Sequence, residues 1–218
     1  MRLRQGLTAV LRAVLGVAFV AGLLLFVPTA AQAQPPNVHK PAAELTAKWW
    51  QTYLALPGDP LGRCDLTGTG NIVFLAGTTG GAATRTCTVP TGSSFLVPLI
   101  NVECSQVEGN GNNFAELQAC ASGFADNFTD LSLVIDGTQV TGLTDLRVQS
   151  KLFTFKSVAG NVFGVPATPS TISVADGYWA LIRPLTPGVH TISFGGSYPP
   201  GQFSTLATYN LTVQPGRA

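Results

Sequence analysis

Charge is scarce in this chain. Only 11% of its 218 residues are charged, with 12 Lys and Arg against 11 Asp and Glu, and no basic run or stripe gathers them. Phosphate-backbone recognition needs such a footprint, so nucleic-acid binding is excluded from the expected functions. Histidine is nearly absent too, with His39 and His190 alone. A His-rich metal site and a two-histidine mechanism therefore have no basis. There is no Gly-x-Ser-x-Gly elbow, no His-Glu-x-x-His and no Gly-Lys-Ser/Thr phosphate loop. No Cys-x-x-Cys pair is present to suggest zinc. Neither a cofactor nor a metal is expected from these motifs. What survives is carboxylate chemistry, in which two Asp or Glu side chains about 5–10 Å apart hydrolyse a glycoside.

What the chain does contain begins with an address. Arg2, Arg4 and Arg12 form a positive start, residues 13–30 are almost wholly apolar, and Ala31-Gln32-Ala33 is a small-x-small cleavage site. A signal peptide over residues 1–33 is expected, followed by a flexible tail at 34–40. The competing expectation is an uncleaved anchor, because the apolar run approaches spanning length. Export predicts no membrane contact after cleavage, in the extracellular medium or the periplasm. Of the 12 basic residues three lie in the leader, leaving nine against 11 acidic and a net charge of −2. The remaining length suits one domain with a real core, at 41–218.

Cys64, Cys87, Cys104 and Cys120 all follow the leader. An even number of cysteines in an exported protein suggests disulfides, and three pairings are possible. Cys64–Cys87 with Cys104–Cys120 is the favoured pairing, because each bridge closes a short local loop. Residues 41–56 read as a helix with Pro41 in its first turn and Leu45, Trp49, Tyr53 and Leu56 at helical spacing. Trp49-Trp50 is either a sugar-stacking platform or a face that docks the helix on a sheet, and its place on the Leu stripe favours docking. Asp65-x-Thr67-x-Thr69-Gly70 lacks the closing carboxylate of a calcium loop and reads as a tethered turn. Strands are predicted at 71–76, 84–89, 93–100, 131–135, 152–156, 171–174, 178–185, 189–194 and 203–213. Residues 101–113 read as a polar loop whose Glu103 and Glu108 could hold a metal or do acid–base work. Asn113 with Glu116 predicts a capped start for a second helix at 114–124. Many short strands, two helices and abundant Gly and Pro predict a mainly β fold. The expected architecture is a single antiparallel β-sandwich or jelly-roll-like domain with an N-terminal helix and one short internal helix.

Several of these stretches carry a resemblance. Trp49-Trp50, Phe74-Leu-Ala-Gly-Thr78, Cys87-Thr-Val-Pro90, Pro98-Leu-Ile-Asn101, Ala175-Asp-Gly-Tyr-Trp179, Pro187-Gly188, His190-Thr-Ile192 and Phe194-Gly-Gly196 together resemble a group of uncharacterised exported bacterial proteins. The resemblance implies secretion and a β-rich domain, and it implies no activity.

The stretch with most chemistry is 175–196. It reads as a hairpin of 178–185 and 189–194 around Pro187-Gly188. In that register Leu185 faces His190, Arg183 faces Ile192 and Leu181 faces Phe194. Asp176, Trp179, Arg183 and His190 are then the candidate binding residues, at one end of an apolar groove fit for an anionic or sugar ligand. A half-buried structural histidine beside a strand-ending arginine is the plainer expectation, and no catalytic residue is assigned. Three functions follow: a non-catalytic binding module for a glycan or cell-surface component, a secreted carboxylate-dependent hydrolase of polysaccharide, and a structural or assembly protein of the envelope.

Overall fold

The protein is described by a computed structural model covering residues 37–68 and 70–214. The leader expected over 1–33 and the first residues of the 34–40 tail lie outside the described residues. Among the described residues no helix is long and apolar enough to cross a membrane.

In chain order the elements are β1 (Val38–His39), α1 (Ala43–Leu54), β2 (Ile72–Phe74), β3 (Gly81–Pro90), β4 (Ser94–Ser105), α2 (Phe114–Ala125), β5 (Thr129–Ile135) and β6 (Thr138–Gln139). There follow β7 (Arg147–Gln149), β8 (Phe153–Ser157), β9 (Thr168–Ile182), β10 (Gly188–Tyr198) and β11 (Phe203–Gln214). One sheet runs β1-β9-β4-β2, with β7 and β8 also paired to β9, and the second runs β3-β11-β10-β5-β6. Among the described residues the molecule is thus a mainly β two-sheet sandwich with two α-helices. Most pairings are antiparallel, but β2 runs parallel to β4 and β3 parallel to β11. The turn at 91–93 explains the second case, because it carries the chain from β3 in one sheet to β4 in the other instead of closing a hairpin.

Alternation along the strands builds the core. Phe95, Val97, Ala180 and Ile182 of the first sheet meet Ile192, Phe194, Tyr209 and Leu211 of the second in one buried cluster. The opposite face of the first sheet is covered by α1. Its stripe of Trp49, Trp50, Tyr53 and Leu54 packs on Phe74, Leu96 and Trp179. Two buried polar handles fix it there: the Trp49 indole donates to the Leu75 carbonyl at 2.7 Å, and the Tyr53 hydroxyl donates to the Phe74 carbonyl at 2.9 Å. Each large side chain so buried stabilises the fold by roughly 1.5–3 kcal/mol. The helix α2 begins as its sequence implies, with the Asn113 side chain accepting from the Glu116 amide. It packs Leu117 and Ala121 on Cys104 and Val174. Both disulfides are present, Cys64–Cys87 and Cys104–Cys120.

Four expectations are corrected. Val38 and His39 are not tail; they pair with Ile182 and Leu181, and the Arg183 amide donates to the Asn37 carbonyl. The strands at 171–174 and 178–185 are one strand, β9, which passes straight through Ala175-Asp-Gly177. The polar loop begins later than 101, because β4 continues to Ser105 against β9. Finally, 178–185 and 189–194 do not form a hairpin. β9 ends at Ile182, and the segment from Arg183 to Pro187 crosses to the other sheet, where β10 pairs with β11 and β5. Pro184 and Pro187 supply no ladder donors to that segment, and the apolar faces of the two strands meet across the core rather than edge to edge.

Candidate functional site

Beside α1 the outer face of the first sheet leaves a cavity of about 270 Å³. Its walls are aromatic, from Trp49, Trp50, Phe163 and Phe203, and Asn101, Thr78 and Thr79 add polar groups. The Trp50 and Phe163 ring centroids are 5.0 Å apart, and Trp49 stands edge-on to Trp50 at 5.1 Å. Phe163 is carried by a loop that the buried Asn161 ties together. The Asn161 amide donates to the Val158 and Val165 carbonyls, and its oxygen accepts from the Val165 amide.

The other wall is held just as closely. Arg85 lies over the Tyr209 ring and donates to the Tyr209 hydroxyl and to the Ala76 and Gly77 carbonyls. The Tyr209 hydroxyl in turn accepts from the Ala76 amide and donates to the Leu61 carbonyl. Thr78 and Thr205 bond one another at 3.0 Å. These contacts fix the 75–79 segment, so the cavity is preformed.

Not all its polar groups are used. The Trp50 indole nitrogen is buried and has no hydrogen-bond partner among the described residues, although Trp50 is only 6% exposed. The side chains of Asn101 and Thr79 also make no hydrogen bond among the described residues. A buried N–H left unpaired costs about 1–3 kcal/mol, and the Trp179 indole nitrogen in the same layer is unpaired among the described residues as well.

The four residues singled out by sequence are dispersed. Asp176 is 1% exposed and paired with Arg147, which donates from Nε and Nη2 at 3.1 and 2.8 Å. The Gln149 amide and the Gly177 backbone amide complete its shell. The Asp176 bond, helped by Asp126, raises the Arg147 pKa above its ordinary value. Trp179 is fully buried against Trp49, so it offers no stacking face. Arg183 is exposed on the crossing segment. His190 lies in the second sheet, with Nδ1 2.7 Å from the Asp136 carboxylate and Nε2 2.8 Å from the Thr186 carbonyl. The groove predicted from the hairpin register does not form, because the two strands sit in different sheets.

A second polar cluster lies farther along β4. Glu103 pairs in register with Ala175, and Ser105 with Ser173, so these side chains share the α1 face of the sheet. The Ser173 hydroxyl donates to Glu103 Oε2 and the Ser105 hydroxyl to Glu108 Oε2, each at 2.5 Å. Burial, then the hydrogen bond and charge of Glu108, push Glu103 up to about 9, so the pair shares a proton at neutral pH. The direct contact between these carboxyls differs from the spacing of about 5–10 Å used in glycoside hydrolysis. Neither residue lines the aromatic cavity.

Sequence reading weighed Trp49-Trp50 but passed over Phe163, Asn101 and Thr79. The alternation Asn101-Val-Glu-Cys-Ser105 was the available signal that the strand continued and aimed Asn101, Glu103 and Ser105 one way.

No protein-family model matches this sequence, and no curated protein does. Among solved structures, the chain is similar to one from the structure of PbICP-C in complex with falcipain-2, at 12% identity and a TM-score of 0.28. That similarity covers 66% of this chain and 100% of the other, and at such a score it carries no argument.

Proposed function

We propose that this protein is an exported, non-catalytic binding module of the extracellular space or cell envelope that holds one sugar ring of a glycan in the cavity beside α1. A cavity walled by Trp49, Trp50, Phe163 and Phe203, with Thr79 and Asn101 among its lining residues, carries this reading. A pyranose offers apolar C–H faces for aromatic walls and hydroxyls for the polar groups between them. Thr79 both donates and accepts, and Asn101 supplies an acceptor oxygen and a donor amide. A cavity of about 270 Å³ admits a ring of that size and no long oligomer, which favours a chain end or a side branch. Two disulfides fit a protein of an oxidising compartment.

The test is a glycan array followed by titration of the best soluble saccharide. Thr79→Val keeps the shape of the cavity wall and removes the hydroxyl, and Asn101→Ala removes the amide. Each is expected to weaken binding about 5- to 10-fold, the worth of one hydrogen bond of about 1 kcal/mol. Absence of saccharide binding by the native protein overturns the proposal, as does native affinity in both variants.

A further inference from the structure

We infer that the cavity beside α1 selects a neutral chain-end sugar that turns a methyl group inward, a deoxyhexose or an N-acetyl sugar, over a fully hydroxylated or charged one. This selectivity rests on the sugar-binding reading of the cavity, and the state of its polar groups carries it. Four polar side chains line the cavity, Thr78, Thr79, Asn101 and Thr205. Thr78 and Thr205 are already bonded to the protein. The Thr78 hydroxyl donates to the Gly81 carbonyl at 3.0 Å, so in the 3.0 Å pair between the two hydroxyls Thr205 is the donor. Thr205 Oγ1 also accepts from the Thr78 amide at 2.9 Å. The Trp49 indole is committed to the Leu75 carbonyl, and the Trp50 nitrogen is shut off from solvent. Thr79 and Asn101 are left to meet a ligand, and the other side chains around them are aromatic or aliphatic, with Ile100, Val162 and Phe163 among them.

A hexose end with every hydroxyl in place brings more of them than these two side chains can pair. Those at the mouth stay in water, but each one carried inward without a partner costs about 1–3 kcal/mol. A methyl group on the inward edge has no hydration to lose and packs on the aliphatic and aromatic walls. A deoxyhexose supplies that methyl in place of its hydroxymethyl group. An N-acetyl sugar supplies it at the end of an amide whose N–H and carbonyl suit the acceptor and the donor of Asn101. The same lining rejects charge. Among the described residues no Lys, Arg, His, Asp or Glu borders the cavity. Arg85 stands behind the wall, with its guanidinium committed to the Ala76 and Gly77 carbonyls and the Tyr209 hydroxyl. A uronic carboxylate or a sugar phosphate would give up water there without gaining a counter-charge, and a free amine would meet no carboxylate.

The test reads which terminal sugar the oxidised full-length protein prefers. After a glycan array, methyl hexosides of gluco, galacto and manno configuration are titrated, each beside its deoxy and its uronic counterpart, with methyl N-acetylglucosaminide alongside. Array signals are expected to gather on deoxy or N-acetyl ends. In the best-bound configuration the methyl-bearing glycoside should bind about 10-fold tighter than its hexoside, and the uronide should show no binding. Asn101→Ala should erase an advantage of the N-acetyl sugar and leave an advantage of the deoxyhexose unchanged, which separates the two sources of the methyl group. Equal or tighter binding of the hexoside or the uronide overturns the selectivity and leaves the sugar site standing. A blank array overturns the sugar site itself, and an N-acetyl advantage that survives in Asn101→Ala overturns the pairing with that amide.

Discussion

Gly177 shows how one residue can hold a site open without touching a ligand. It stands opposite Asn101 in the β4–β9 ladder with φ of +154°, and a Cβ there would collide with the Asn101 Cα and the Ile100 carbonyl oxygen. Gly177→Ala is therefore expected to destabilise the fold by about 2 kcal/mol or more, from the collision and the disfavoured φ together. Chemical denaturation checks the loss, and an unchanged midpoint would refute the account. Asp176 beside it teaches a different lesson. Read in sequence, an acid next to glycine marks a turn, but Arg147 and Gln149 neutralise and fill its buried shell. The strand can then run on where a break was expected. Arg147 is 29 residues away, so nothing local could reveal it.

The elements themselves were largely legible, since hydrophobic period and punctuation act locally. The stripe of α1, the Asn113 cap of α2 and the strands ending in β11 all fell where their patterns placed them. Their partners were less legible. Pro187-Gly188 looks like a hairpin turn, but it joins a crossing segment to the start of β10, and only the choice of sheet by β9 and β10 distinguishes the two. His190 secures that segment. Both ring nitrogens face acceptors, which only the imidazolium can serve together. Burial lowers the His190 pKa, but the bonds to Asp136 and to the Thr186 carbonyl outweigh it, and the net shift is upward from 6.5. A folded-state pKa above the unfolded one means that the stabilisation is complete below about pH 6.5 and is lost as pH rises through the folded value. Stability of the native protein is expected to fall over that interval relative to its own acid-side value. His190→Gln should lack that component, and equal pH profiles for the two proteins would refute the clasp.

At the scale of the whole molecule, the disulfides hold the periphery to the sandwich. Cys64–Cys87 joins the loop after α1 to the edge strand β3 across a separation of 23 residues. Loop closure of that length is worth roughly 3 kcal/mol in the chain-entropy model. Replacing both cysteines with alanine is expected to lower Tm by about 6–12 °C, as read by calorimetry, and a shift under about 2 °C would count against it. Both pairings were legible as short local loops, and so was the sandwich class, which follows from strand content and turn spacing. The cavity was not, because its walls come from residues near 50, 78, 101, 163 and 203. The order of strands in the second sheet has one more consequence. The latest described strand, β11, sits between β3 and β10 and bonds both along nearly their full lengths. A chain emerging vectorially, from a ribosome or a secretion pore, therefore presents two open sheet edges and half a core until residues 203–214 arrive. Its folding is committed only when β11 has emerged, and the interval before it is when aggregation competes and a chaperone has most to protect.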